Sequence, residues 1–190
     1  MRSIFLFITL LISFFLFTSS LKAREKWILD KELSTINFKL AILFANNVFG
    51  EFKKIESLIE IDTQTRKQNK AIISVSLESL DMNYKKYKNL LLGNIFFDSK
   101  TYPIALIDTK KFSYVDEKKL NLNVELTIKG TTNTVPLELE INHLTEDLVQ
   151  IKGLLYFSRT DFKIGTGNWS STAILKDKAY ITANLFLFKE

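Results

Sequence analysis

An all-β fold, an antiparallel barrel or sandwich of about eight strands with one short helix, is what this sequence predicts. Three observations carry that expectation. Apolar and polar residues alternate at period two from Ser34 onward, turn signals recur at roughly ten-residue intervals, and the segment NYKKYKNLLLG switches to helical spacing.

The elements follow in order. STINFKLAIL places Ile36, Phe38, Leu40 and Ile42 on one face, because successive side chains of a strand point to opposite sides. IISVSLESL does the same with Ile73, Val75 and Leu77, after which SLDMN reads as a turn. In NYKKYKNLLLG, Tyr84, Tyr87, Leu90 and Leu91 recur at helical spacing ahead of Gly93, a natural stop. Pro103 has a fixed φ and no N–H, so it belongs at the first residue of the strand IALIDTKKF. DEKK is the next turn. KLNLNVELTIKG is the clearest strand: Leu120, Leu122, Val124, Leu126 and Ile128 alternate with Asn, Glu, Thr and Lys. TVPLELEIN continues the pattern with Val135, Leu137, Leu139 and Ile141. IKGTTNTV between them reads as a hairpin in which Gly130 takes φ > 0 and the threonines bond back to nearby main chain. VQIKGLLYFS and AYITANLFLF supply two further strands. SRTDFKIG sets Arg159 near Asp161, where an ion pair would pin the Phe162 loop.

The first 23 residues read differently. Arg2 supplies a positive charge, Ile4 to Phe17 is apolar apart from Thr9 and Ser13, and TSSLKA ends on the small Ala23. That is a secretory signal peptide, too short in its apolar part for the roughly 20 residues that span hydrocarbon. The expected organisation is therefore a leader over 1–23 and one barrel domain over 24–190. Loss of the leader leaves 24 basic and 21 acidic residues, a net charge of +3. The lysines are scattered, so the footprint of a nucleic-acid binder is missing. With no Cys, neither a disulfide nor a lipidated cysteine is available to the exported protein. A periplasmic or secreted domain held together by its core is the expectation.

The same composition narrows the chemistry. One His and no Cys cannot build a His/Cys zinc site, a cysteine nucleophile or a bis-His haem. His143 sits at a strand end beside a polar turn, and no G-x-S-x-G elbow accompanies it. The GTG of Gly165 to Gly167 is too short for a phosphate-binding fingerprint and reads as a turn. Inward Phe, Leu, Ile and Val residues then have two readings: a solid core, or the lining of a tunnel for an apolar guest. Periodicity reports burial alone and favours the solid core.

Six fragments in one order add to this: WILDKELSTINF (27–38), GEF (50–52), IEID (59–62), FFDSKTYP (96–103), LTIKGTT (126–132) and SRTDFKIGTGNW (158–169). Together they resemble the YceI-like polyisoprenoid-binding family, through essentially the whole mature chain. The resemblance implies an eight-stranded antiparallel lipocalin-like barrel, exported to the periplasm, that holds a polyisoprenoid or isoprenoid quinone in an apolar tunnel and has no enzyme activity or cofactor of its own. It moves the balance toward the tunnel. The expected wall is Phe38, Leu40, Phe52, Val75, Leu77, Leu106, Val124, Leu126, Leu137, Leu139 and Phe157. The helix with Leu90 would be a lid, with Phe96 and Phe97 at the barrel mouth and Asp98 capping the connection after them; the alternative is that these phenylalanines plug the barrel end. Arg159, beside the Phe162 loop, is the best single candidate for a quinone head group, against a structural role in which a nearby acid takes its donors.

The chain departs from the family where many members carry an Arg-Asp pair and a His before FFD; here Tyr87, Lys88 and Leu90 stand at those places, and Ile42 replaces a strand histidine. Transient membrane contact fits such a ligand, and oligomeric state is left open. Two other classes stay open: an interaction module with a solid barrel, and a lipid-modifying enzyme using Asp98 or Asp161.

Overall fold

The computed structural model describes residues 25–42, 48–62, 65–82, 84–115 and 118–190. The expected leader, the Ile42 side chain, Asn83 of the SLDMN turn and Asp116 and Glu117 of the DEKK turn lie outside the described residues.

Eleven strand segments form the wall: β1 (Glu25–Leu29), β2 (Thr35–Ile42), β3 (Val48–Phe52), β4 (Ile55–Ile61), β5 (Lys70–Ser76), β6 (Leu80–Asp81), β7 (Ile104–Asp108), β8 (Lys119–Ile128), β9 (Thr131–His143), β10 (Leu148–Ser158) and β11 (Leu175–Lys189). Helix α1 covers Lys85–Leu92. The eleven segments are eight strands of wall, because three strands are each broken once. Asp30 breaks the first into β1 and β2: its carboxylate accepts the N–H groups of Glu32 at 2.9 Å and Leu33 at 3.0 Å. Lys53 and Lys54 separate β3 from β4, and a 3₁₀ turn at Leu77–Ser79 separates β5 from β6. The SLDMN turn expected from sequence thus contains a short strand, with Leu80 paired to Phe52.

All pairings are antiparallel. The ring runs β1-β4-β5-β7-β8-β9-β10-β11 and closes on β1, whose Trp27 pairs with Ile59 on one side and Lys189 on the other. The protein is a closed eight-stranded antiparallel barrel. β11 is long enough to serve two neighbours along one edge, β1 near its C-terminus and β2 over Leu175 to Asn184. At the β2-β3-β6 end, the connection from β6 to β7 covers the barrel: Phe97 packs its ring 6.1 Å from Phe38 and 6.5 Å from Phe52. We call this the narrow end.

Local signals act as expected at several joints. Pro103 immediately precedes β7, and its carbonyl accepts the Leu77 N–H at 2.9 Å. Lys129 and Gly130 both have positive φ, 50° and 71°, the backbone of a two-residue I′ hairpin between β8 and β9. Of the threonines in IKGTTNTV, Thr132 meets Thr127 of β8 across the strands, Oγ1 to Oγ1 at 2.8 Å, and among the described residues none of them bonds back to main chain. Gly93 ends α1 in extended backbone (φ −71°), so the stop does not use the left-handed freedom of glycine.

Candidate ligand chamber

The inward faces follow the alternation read from sequence, yet burial along them is uneven. Val124, Leu126 and Leu155 are each 1% exposed. Ile73, Ile107, Ile151, Ile181 and Ala183 also face inward, but are only partly buried. Inward residues keep accessible surface where they border a void or an open end, and all five line a cavity.

Two apolar cavities account for it. The wider, of about 240 Å³, lies toward the β9–β10 turn and is bordered by Trp27, Ile59, Ile61, Leu137, Leu139, Ile141, Ile151, Leu155 and their neighbours. The narrower, of about 60 Å³, lies at the narrow end among Phe38, Phe52, Val75, Leu77, Phe96, Phe97, Leu126 and Phe157. Ile36, Ile73, Ile107 and Ile181 border both, one each from β2, β5, β7 and β11, and form a waist between them.

Small residues create the wider space. Gly153 and Ala183 are direct register partners on β10 and β11, and Ala71 on β5 borders the same chamber. Three inward positions that elsewhere carry Leu, Ile or Val thus carry little or no side chain. The wide mouth is braced by two buried polar residues. Asn69 accepts the Asp62 N–H at 2.8 Å and exchanges backbone bonds of 2.9 Å with Phe112, while the Thr109 hydroxyl accepts the Ala71 N–H at 2.8 Å. They fasten the β4–β5 and β7–β8 connections, which bring Phe112 and Tyr114 to the chamber. His143, exposed at the end of β9, borders the same mouth.

The residues proposed from sequence divide unequally between these spaces. Phe38, Leu40, Phe52, Val75, Leu77, Phe96, Phe97, Leu126, Phe157 and Arg159 gather around the narrow cavity, and Leu137 and Leu139 around the wide one. Leu106 also borders the narrow cavity, although its register partners Ser74 and Thr127 lie on the outer face and the inward positions of β7 are Ala105 and Ile107. Leu90 lies under α1 beside a third space of about 10 Å³. Val124 and Phe162 are buried in packing, each 1% exposed, and border none of the three. Most of the wide chamber, with Trp27, Ala71, Gly153 and Ala183, escaped the sequence reading; its signal was small residues at inward register positions.

A family model of the YceI-like domain matches residues 27–186. The chain belongs to the YceI-like family. A UPF0312 protein of Photorhabdus laumondii is 26% identical over 124 residues, 65% of this chain and 64% of that relative, so the match spans slightly under two thirds of the relative's length. BcnA of Burkholderia cenocepacia superposes with a TM-score of 0.77 at 27% identity, over 84% of this chain and 99% of BcnA. A polyisoprenoid binding domain from Saccharophagus degradans shares the fold, with a TM-score of 0.69 at 13% identity over 86% of this chain and 98% of that domain.

In this YceI-like chain, Arg159 is the principal polar group at the narrow end, and it is fully buried. The expected ion pair with Asp161 does not form. The guanidinium instead donates to six main-chain carbonyls, those of Ile164 (2.8 Å), Leu175 (2.9 Å), Gly165 (3.1 Å), Lys176 (3.2 Å), Ser170 (3.3 Å) and Ser171 (3.5 Å). A five-donor fork tying together the 159–176 connection has no donor to spare for a head group. Gly165 allows the approach: at φ 72° a Cβ there would lie 2.9 Å from Arg159 Nη1.

Asp177 supplies the nearby negative charge. Partial burial raises its pKa, but hydrogen bonds from the Ser158 and Thr160 hydroxyls and the Thr160 N–H, with the Arg159 charge, outweigh this and hold it below the usual carboxylate value. Asp108 is lowered likewise, burial being outweighed by Lys110 and Lys70. A carboxylate depressed in the folded state contributes stability above its unfolded pKa of about 4, and that contribution fades as pH falls through the folded value. Unfolding free energy should therefore be flat from pH 7 to about 5 and fall steeply below about 4. Urea titrations across pH check this, and Asp177→Asn should flatten the acid limb.

Proposed function

We propose that this YceI-like protein is an exported, non-enzymatic carrier of an apolar lipid, a polyisoprenoid or an isoprenoid quinone, held inside the barrel. One observation carries the reading: a closed barrel whose interior holds a chamber of about 240 Å³ walled almost wholly by Ile, Leu, Val, Ala and aromatic residues. The polyisoprenoid binding domain that shares this fold supports the same class of ligand. The driving force is burial, at about 0.8 kcal/mol per CH₂ removed from water, less the entropy lost by the ligand.

The chamber also sets a scale. An apolar cavity of about 150 Å³ holds one benzene, so about 240 Å³ holds roughly ten carbons, or two isoprene units. A longer tail must part the isoleucine waist. The leader expected over residues 1–23 supports a periplasmic carrier, and immunodetection in osmotic-shock fractions tests that placement.

Mass spectrometry of organic extracts from gently purified protein should reveal a bound isoprenoid. Empty extracts together with no uptake of added quinone would end the carrier reading. Ala183→Phe fills the wide chamber from β11. Because the ring enters existing space, thermal stability should change little while quinone retention falls at least tenfold in a filter-binding assay; retention at the wild-type level would place the ligand elsewhere.

A further inference from the structure

The cavities lie in series along one apolar route through the barrel, each sharing lining residues with the next. The wide chamber meets the narrow one at the isoleucine waist, and the narrow one meets the space under α1 at Leu40, Leu91 and Phe96. α1 is the roof of that route, with Leu91 buried beneath it and Tyr87 and Leu90 bordering the last space.

The exposed N-terminal turn of this helix, Tyr87 included, is unlike its apolar C-terminal half. Lys85 and Lys86 are exposed, Tyr84 is 57% and Tyr87 36% exposed, and the two rings stack edge to face at 5.8 Å. Residues 82 to 97 contain three lysines and no acid. None of the ion pairs among the described residues uses Lys85 or Lys86. Paired aromatics with unneutralised ammonium groups, next to an apolar half-helix, match an anionic lipid interface. Tyrosine rings seat at headgroup depth, and each lysine near such a surface favours it.

We propose that α1 is a docking surface for an anionic lipid bilayer, seating the narrow end of the barrel on the membrane so that an apolar chain passes beneath the helix. This rests on the carrier reading above. It departs from that reading in assigning loading to the roofed end and not to the wide mouth near His143.

The test compares wild type with Lys85→Gln/Lys86→Gln on the same N-terminus, using vesicles of phosphatidylcholine with and without phosphatidylglycerol. Removing two lysines should lower partitioning onto the anionic vesicles roughly 30-fold, at about 1 kcal/mol for each. It should leave binding to neutral vesicles and the melting temperature unchanged. One molar salt, where the Debye length is about 3 Å, should erase the difference. Quinone uptake from anionic vesicles should slow in the variant, whereas uptake from detergent should equal wild type. Equal partitioning of the two proteins, or no preference of wild type for anionic vesicles, overturns the docking. Loss of partitioning with no quinone uptake from detergent by either protein overturns the carrier reading and leaves the docking in place.

Discussion

Arg159→Met should cost about 4 kcal/mol or more of unfolding free energy. The guanidinium satisfies six carbonyl oxygens in a fully buried site, and methionine fills much of the same volume without a donor. Hydrogen bonds from a charged donor contribute about 1.5–3 kcal/mol each, and an orphaned buried carbonyl costs about 1–3 kcal/mol. These do not add, since the 159–176 connection relaxes and admits water, but losses above about 4 kcal/mol belong to broken buried networks of this kind. For a chain of this size the melting temperature should fall by roughly 8–16 °C. Arg159→Lys keeps the charge but only three donors, and should recover less than half of the loss. Urea unfolding of the two variants decides the matter. A methionine variant within 1 kcal/mol of wild type would mean that these carbonyls find other partners.

Phe97→Ala should lower stability by about 3–5 kcal/mol and at the same time lengthen the tail that the barrel accepts. Phe97 is 8% exposed and its ring completes a cluster with Phe38 and Phe52, whose own centroids are 5.9 Å apart. Phe96 is more deeply buried and packs on Trp169 at 5.7 Å. Both phenylalanines therefore pack at the narrow end while also bordering its cavity. Removing one ring enlarges the space of about 60 Å³ that the waist joins to the wide chamber. Competition between short-tailed and long-tailed isoprenoid quinones should then shift toward the longer tail. A folded variant with the wild-type preference would show that tails never reach past the waist.

Much of this architecture was legible before any coordinates. Period-two runs such as Leu120 to Ile128 identify strands and their inward faces, Pro103 marks a strand start, Gly130 marks a hairpin, and six ordered fragments point to the family. The breaks that turn eight strands into eleven segments were less visible. Asp30 makes its break through side-chain acceptance of two N–H groups, and the 3₁₀ turn at Leu77–Ser79 sits inside an unbroken apolar pattern. Sequence proximity pairs Arg159 with Asp161, whereas the structure gives it main-chain carbonyls. Its acceptors are carbonyls on a connection whose path no local pattern describes, whereas Asp161 was merely near in sequence.

Residue order by itself determined the strands, the resemblance to the family and most of the inward-facing side chains, because alternation is a property of one strand; ring closure and the outward register of Leu106 were decided by pairing. Whether those inward side chains meet or leave space was decided only by tertiary structure. Gly153, Ala183 and Ala71 come from three strands, and they make a chamber only once β5, β10 and β11 face the same interior. A void is the difference between the barrel's cross-section and the summed volumes that fill it, and neither quantity exists until the ring closes.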